Sequence, residues 1–242
     1  MPLVSTKLAS AELIKCAANA FLAVKISYIN EIGRLAERVG VDINQVASGI
    51  GLDARIGTRF LRPGIGWGGS CFGKDTAALI STASEYGLTM PIVQAAREIN
   101  QCQRARVIEK LLAELKILKG RTIGLLGLAF KPHTDDLREA PAIDIARQLT
   151  QRGVKVRAND PMALPRVRLE CLGSEIGFYE DPTELARGTD ALVLVTEWPQ
   201  YRELPWEQLA TEMRYPLILD GRQFLDRSRL TRAGFHYVGI VS

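Results

Sequence analysis

The chain has 242 residues, 47% of them apolar and 24% charged, and a formal net charge of +4. That composition fits a folded protein with room for one large or two ordinary domains. No apolar run reaches membrane-spanning length and no basic-then-apolar leader opens the chain, so a cytoplasmic, non-membrane protein is expected. The modest positive charge lacks runs of like sign or aromatics interleaved with basics, which argues against nucleic acid and suits a small anionic ligand. Cys16, Cys71, Cys102 and Cys171 are widely spaced and there are only two histidines, His133 and His236, so neither a zinc site nor a disulfide framework is indicated. Cys16, Cys102 and Cys171 read as small, buried, inert residues.

The first half reads helical. From Ser10, Leu13, Ala17, Ala20, Phe21, Val24, Tyr28, Ile32, Leu35 and Val39 recur at intervals of three and four, and Gly40 closes the run. About 30 residues at 1.5 Å each make a helix of ~45 Å, longer than a small domain needs and suggestive of subunit packing. Within it Lys15 and Asn19 lie one turn apart on one face, either an exposed pair or a cation and amide able to stabilise an oxyanion. Asp42-Ile43-Asn44-Gln45 has capping-box spacing for a short helix ending near Gly49–Gly51. Arg55, in Asp53-Ala54-Arg55-Ile56-Gly57, has no role assignable from spacing.

The stretch Phe60-Leu61-Arg62-Pro63-Gly64-Ile65-Gly66-Trp67-Gly68-Gly69-Ser70-Cys71-Phe72-Gly73-Lys74-Asp75 is the most informative in the chain. Its letters match G-x-G-x-x-G, but Arg62-Pro63 rather than a strand leads into it, so it is not a dinucleotide fingerprint. The expected use of its glycines is close backbone approach to a ligand. Cys71 reads as an activated nucleophile, since a thiolate is favoured by nearby positive charge or a helix N-terminus. Lys74 offers the first, and a helix from about Asp75 to Tyr86 the second. Asp75 is either a general base or a first-turn acid favoured by the helix dipole. Pro91 then opens a long helix reaching to Gly120.

At Gly120 the pattern changes to strands alternating with helices. Arg121–Leu128, Val154–Ala158, Asp190–Thr196, Pro216–Asp220 and Phe235–Ile240 read as strands, with a helix over about Pro141–Arg152. Such alternation predicts right-handed βαβ units and a mostly parallel, Rossmann-like sheet. The expected organisation is therefore a helical domain over 1–117 and an α/β domain over 118–242. The turn Gly124-Leu125-Leu126-Gly127-Leu128-Ala129-Phe130-Lys131 lacks fingerprint spacing, which implies lost or altered dinucleotide binding. Asp160, ending the second strand, stands where an acid could hold a ribose hydroxyl. Lys131, after the first strand, and Arg222, after the strand ending at Asp220, either meet phosphate at the strand ends or are solvated surface charge.

Taken together these segments resemble the UDP-glucose/GDP-mannose 6-dehydrogenase family. The resemblance rests on Glu12–Leu22, Ser27–Glu31, Arg55-Ile56-Gly57, the Phe60–Asp75 loop, Phe130-Lys131 with Asp136-Leu137-Arg138-Glu139, and Asp220-Gly221-Arg222. It implies oxidation of a sugar C6 alcohol to a carboxylate with two NAD+, through a thiohemiacetal and then a thioester on Cys71. Lys15 and Asn19 would stabilise the oxyanion and Asp75 would assist proton transfer. Lys74, Phe60, Leu61, Gly64, Lys131 and Arg222 would hold the UDP-sugar, and Arg55 would reach across a homodimer built on the long helix. The family's N-terminal NAD-binding domain has no counterpart in this sequence, so the chain is expected to be a truncated form that transfers no hydride alone. The alternatives are a non-catalytic nucleotide-sugar-binding or assembly module, and a cofactor-free cysteine hydrolase, for which no histidine stands in a suitable motif.

Overall fold

The computed structural model describes residues 3–169 and 176–241. The helical half comprises α1 (Leu8–Val39), α2 (Ile43–Gly51), α3 (Phe72–Glu85) and α4 (Pro91–Leu115). α1 ends where expected, at Gly40, whose φ of 71° is the left-handed conformation that costs glycine least. Its apolar positions divide between two faces. Ala20, Ala23, Ile29, Gly33 and Ala36 turn inward, and α1 packs against α3 and α4. Ile14, Phe21, Tyr28 and Leu35, seven apart, remain 50–64% exposed. α2 is capped by Asp42, which accepts the Asn44 N–H at 2.9 Å.

α3 begins three residues earlier than the sequence suggests, so Cys71 is its N-cap and Gly73 lies inside the first turn. The glycine is there for packing: a side chain on Gly73 would collide with the Glu139 carboxylate. α4 stops at Leu115, short of Gly120, because Lys116 turns to φ 63° and delivers Leu118 to the core.

The sheet half carries β1 (Thr122–Leu126), α5 (Pro141–Thr150), β2 (Lys155–Asn159), α6 (Leu164–Leu169), β3 (Ile176–Phe178), α7 (Pro182–Ala186), β4 (Ala191–Leu194), α8 (Trp206–Glu212), β5 (Leu217–Asp220), α9 (Arg227–Arg232) and β6 (His236–Gly239). All strand pairings are parallel, in the order β3-β2-β1-β4-β5-β6. That is the doubly wound order, with its topological switch between β1 and β4. Leu125 stands opposite Ala158 on one side and Val193 on the other, and Val193 opposite Leu219. These residues are at most 1% exposed, as expected for strands covered on both faces. Short β3 and the brief helices α6 to α9 were not read in the sequence, since a few residues give little periodicity. Cys171 lies outside the described residues. Cys16 is half-buried and Cys102 exposed, contrary to the expectation of buried, inert thiols. Cys102 stands on a face of α4 turned away from the core.

Candidate functional site

In a doubly wound sheet the crevice beyond the carboxyl ends of the strands normally takes a ligand. Here the glycine loop of the helical half fills much of it. Ile65 is fully buried there and its N–H donates to Gly221 O at 3.0 Å. The Gly69 N–H donates to Arg138 O at 2.9 Å, and a side chain on Gly68 would strike the Glu139 carbonyl. Gly64, Gly68 and Gly69 thus lie in close contact with the protein's own second half, and Gly66 with Asn100 of α4.

Three residues predicted to contact ligand make bonds within the protein. Arg222 directs Nε to Val195 O at 2.7 Å and Nη1 to Gly66 O at 2.9 Å, with Glu197 at 3.3 Å, so these two donors tie the strand ends to the loop. Its desolvation lowers the guanidinium pKa, against the pull of Glu197 and Asp220. Gly64 has both backbone groups satisfied internally, its N–H by Asn30 Oδ1 at 2.8 Å and its carbonyl by Gln103 Nε2 at 2.7 Å. Asp160 is 2% exposed and accepts the N–H groups of Leu128, Ala129, Met162 and Ala163 and the Trp198 indole. It knits the β1 and β2 turns together and has nothing left for a ribose. Thr196, whose hydroxyl donates to Ala129 O at 2.6 Å, sits where a side chain on Gly127 would go. With Asp160 sealed and the switch point closed, this sheet does not fit a dinucleotide.

Other predicted residues remain open. Lys131 is exposed beyond β1, 5.3 Å over the Phe130 ring, with no acidic partner among the described residues. Phe60, at φ 63° and 39% exposed, stacks at a tilt 6.3 Å from Phe72, while Leu61 is buried beneath it. Arg55 is a surface side chain paired with Asp53 at 2.6 Å and takes no part in the cysteine constellation.

That constellation forms around Asp75. Its Oδ2 accepts from Lys15 Nζ at 2.7 Å and from Asn19 Nδ2 at 2.6 Å, while Lys74 Nζ stands 3.9 Å from Oδ1. Asp75 is 4% exposed. The Lys15 hydrogen bond is the largest influence holding its pKa below the usual range; burial opposes this, and Asn19 and the charges of Lys15 and Lys74 add to it. Reciprocally, Asp75 raises the Lys15 pKa. The Asp75 N–H donates to Cys71 O at 2.9 Å, the first-turn bond of α3, so the thiol and the carboxylate are stacked one turn apart. A negative sulfur at Cys71 would act on both Lys15 and Arg138. Arg138 was not assigned from the sequence. Asp136 grips it bidentately at 2.9 and 2.7 Å and presents it from the sheet half.

With this geometry in place, two family models match. The UDP-glucose/GDP-mannose dehydrogenase family central domain covers residues 9–102, and the UDP binding domain of the same family covers residues 124–227. The chain belongs to this family. Among curated members, UDP-glucose 6-dehydrogenase TuaD of Bacillus subtilis is 46% identical over 99% of the chain and 52% of its own length. The UDP-glucose 6-dehydrogenase of Pseudomonas aeruginosa is 44% identical over 95% of the chain and 52% of its own length. Among solved structures, a UDP-glucose dehydrogenase from Pyrobaculum islandicum superimposes with a TM-score of 0.88 at 39% identity, covering 99% of this chain and 53% of that one. This dehydrogenase-family chain therefore spans about half the length of the relatives it matches. Among the described residues no helix is long and apolar enough to cross a membrane.

Proposed function

We propose that the chain is the thiol-bearing, UDP-sugar-binding portion of a cytoplasmic UDP-glucose 6-dehydrogenase. The observation that carries this reading is the meeting of Lys15 and Asn19 on Asp75, one helical turn from Cys71. In this reading Cys71 Sγ adds to the C6 aldehyde of the UDP-sugar. A C–S bond forms and the carbonyl pair moves onto oxygen, where the Lys15 ammonium and Asn19 amide stabilise it. At the later thioester, water attacks the carbonyl carbon, Asp75 takes up the proton, and the C–S bond breaks to free Cys71 and the carboxylate. When bound, NAD+ would supply the hydride-accepting chemistry of the overall oxidation. The sheet's switch point among the described residues does not fit that group, so the chain alone is expected to transfer no hydride.

Lys131 meets the diphosphate, with Phe60 and Leu61 beside the nucleotide and Lys74 beside the sugar; Arg222 and Gly64 contribute by shaping the loop. The exposed stripe Ile14, Phe21, Tyr28 and Leu35 pairs α1 with its copy in a homodimer, in which Arg55 reaches the partner's site. Titration calorimetry with UDP and NAD+ tests the assignment. Saturable UDP binding with no NAD+ heat is expected; NAD+ binding as tight as UDP, or no UDP binding, overturns it.

A further inference from the structure

Beneath the glycine loop lie three buried amides to which sequence reasoning assigned no role. Asn30 on α1 and Gln103 on α4 are fully buried, and Asn100 on α4 is 3% exposed. Asn30 Oδ1 accepts the Gly64 N–H and Gln103 Nε2 donates to the Gly64 carbonyl. Asn100 does both for Trp67, accepting its N–H at 2.7 Å and donating to its carbonyl at 3.0 Å. The indole Nε1–H of Trp67 is held as well, donating to Ser27 Oγ at 3.2 Å. Two helices therefore supply the hydrogen bonds that a neighbouring strand would otherwise give to Gly64–Trp67.

The pattern of unsatisfied atoms shows what these amides are for. Asn30 Nδ2 and Gln103 Oε1 are buried without a partner among the described residues. An apolar side chain at either site would spare that atom but strand the Gly64 N–H or carbonyl instead. The bonds that Asn30 and Gln103 do make go to one residue, Gly64, at the root of the loop that leads to Cys71.

We propose that Asn30, Asn100 and Gln103 are positioning residues that set the loop's backbone from below, so that its outer face meets the nucleotide sugar already shaped. The inference rests on the reading of this loop as part of the UDP-sugar site. Because each amide acts through backbone groups of the loop, loss of one displaces the binding surface while the two halves stay folded.

The test uses the whole chain, with UDP as the probe, and compares Asn30→Leu, Asn100→Leu and Gln103→Met with Asn30→Asp and Leu209→Ala. Asn30→Asp keeps the acceptor for Gly64, while Leu209→Ala removes a buried side chain from α8 and lowers stability away from the loop. The three apolar variants are expected to bind UDP roughly tenfold more weakly or worse. Asn30→Asp should stay near the wild type, and Leu209→Ala should lose thermal stability without losing affinity. Wild-type affinity in Asn30→Leu, or equal weakening in Leu209→Ala, overturns the proposal. Amide hydrogen exchange gives a readout that does not depend on UDP. The Gly64 N–H should lose protection in Asn30→Leu and the Trp67 N–H in Asn100→Leu; retained protection overturns the positioning role. Failure of the wild type to bind UDP would instead overturn the nucleotide reading.

Discussion

Lys15 on α1 donates to Asp75 on α3 at 2.7 Å, an ion pair whose members lie 60 residues apart and whose carboxylate is almost wholly enclosed. Because the Asp75 pKa is depressed, its ionised form stabilises the fold above its unfolded value of about 4, and that contribution fades as pH falls through the folded value. The Lys15 pKa is raised, so its share is complete below about 10.4 and is lost as pH rises through the folded value. Asp75→Asn should therefore lower Tm at pH 7, with the gap to the wild type closing as pH drops from 5 towards 3. Thermal melts across that range check it. A gap that stays constant would mean that Asp75 contributes through shape alone.

Gly68 and Gly73 both face Glu139, yet their alanine variants should differ. The obstacle at Gly68 is the Glu139 main chain, which cannot swing away, whereas at Gly73 it is the end of an exposed glutamate side chain. Gly68→Ala should cost about 1–3 kcal/mol, in the range of an overpacked core site. Gly73→Ala should cost less than about 1 kcal/mol, since the carboxylate can rotate and alanine is favoured in a helical turn. Chemical denaturation of the two variants measures both values.

Asp160→Ala should destabilise the chain by about 3 kcal/mol, because it strands several enclosed N–H donors at once. A ribose-binding acid would instead tolerate alanine with little loss of stability. Urea unfolding separates the two outcomes.

Phe21→Asp should shift the chain from dimer to monomer in sedimentation while leaving its circular dichroism intact. Phe21 lies at the middle of the α1 stripe and is 64% exposed in the single chain, so the charge disturbs no internal packing. A dimer that survives this substitution, and Tyr28→Asp as well, would move the interface elsewhere.

The larger elements were legible because their signals are long. α1 has many turns of periodicity and a terminal glycine, and β1, β4 and β5 are unbroken apolar runs. The Cys71 loop was legible through its resemblance to a family, whereas the meeting of Lys15, Asn19 and Asp75 joins helices that spacing alone does not align. Asp160 misled because an acid closing a strand can hold either a ribose or a neighbouring turn, and only the surrounding N–H groups decide between them. Asn30, Asn100 and Gln103 were missed for a related reason. A polar residue on a buried helix face looks like a lapse in periodicity until its partner, 33 to 39 residues away, is seen.

Arg222 reaches out of the sheet half to Gly66, five residues before the reactive sulfur. The aim of that sulfur is thus inherited partly from strands that carry none of the chemistry. A chimera joined between Leu115 and Thr122, with a sheet borrowed from a relative, would exchange more than the strands: it would also re-point the Cys71 thiol. On the proposed function, a change in nucleotide preference and a change in reactivity are therefore mechanically hard to separate.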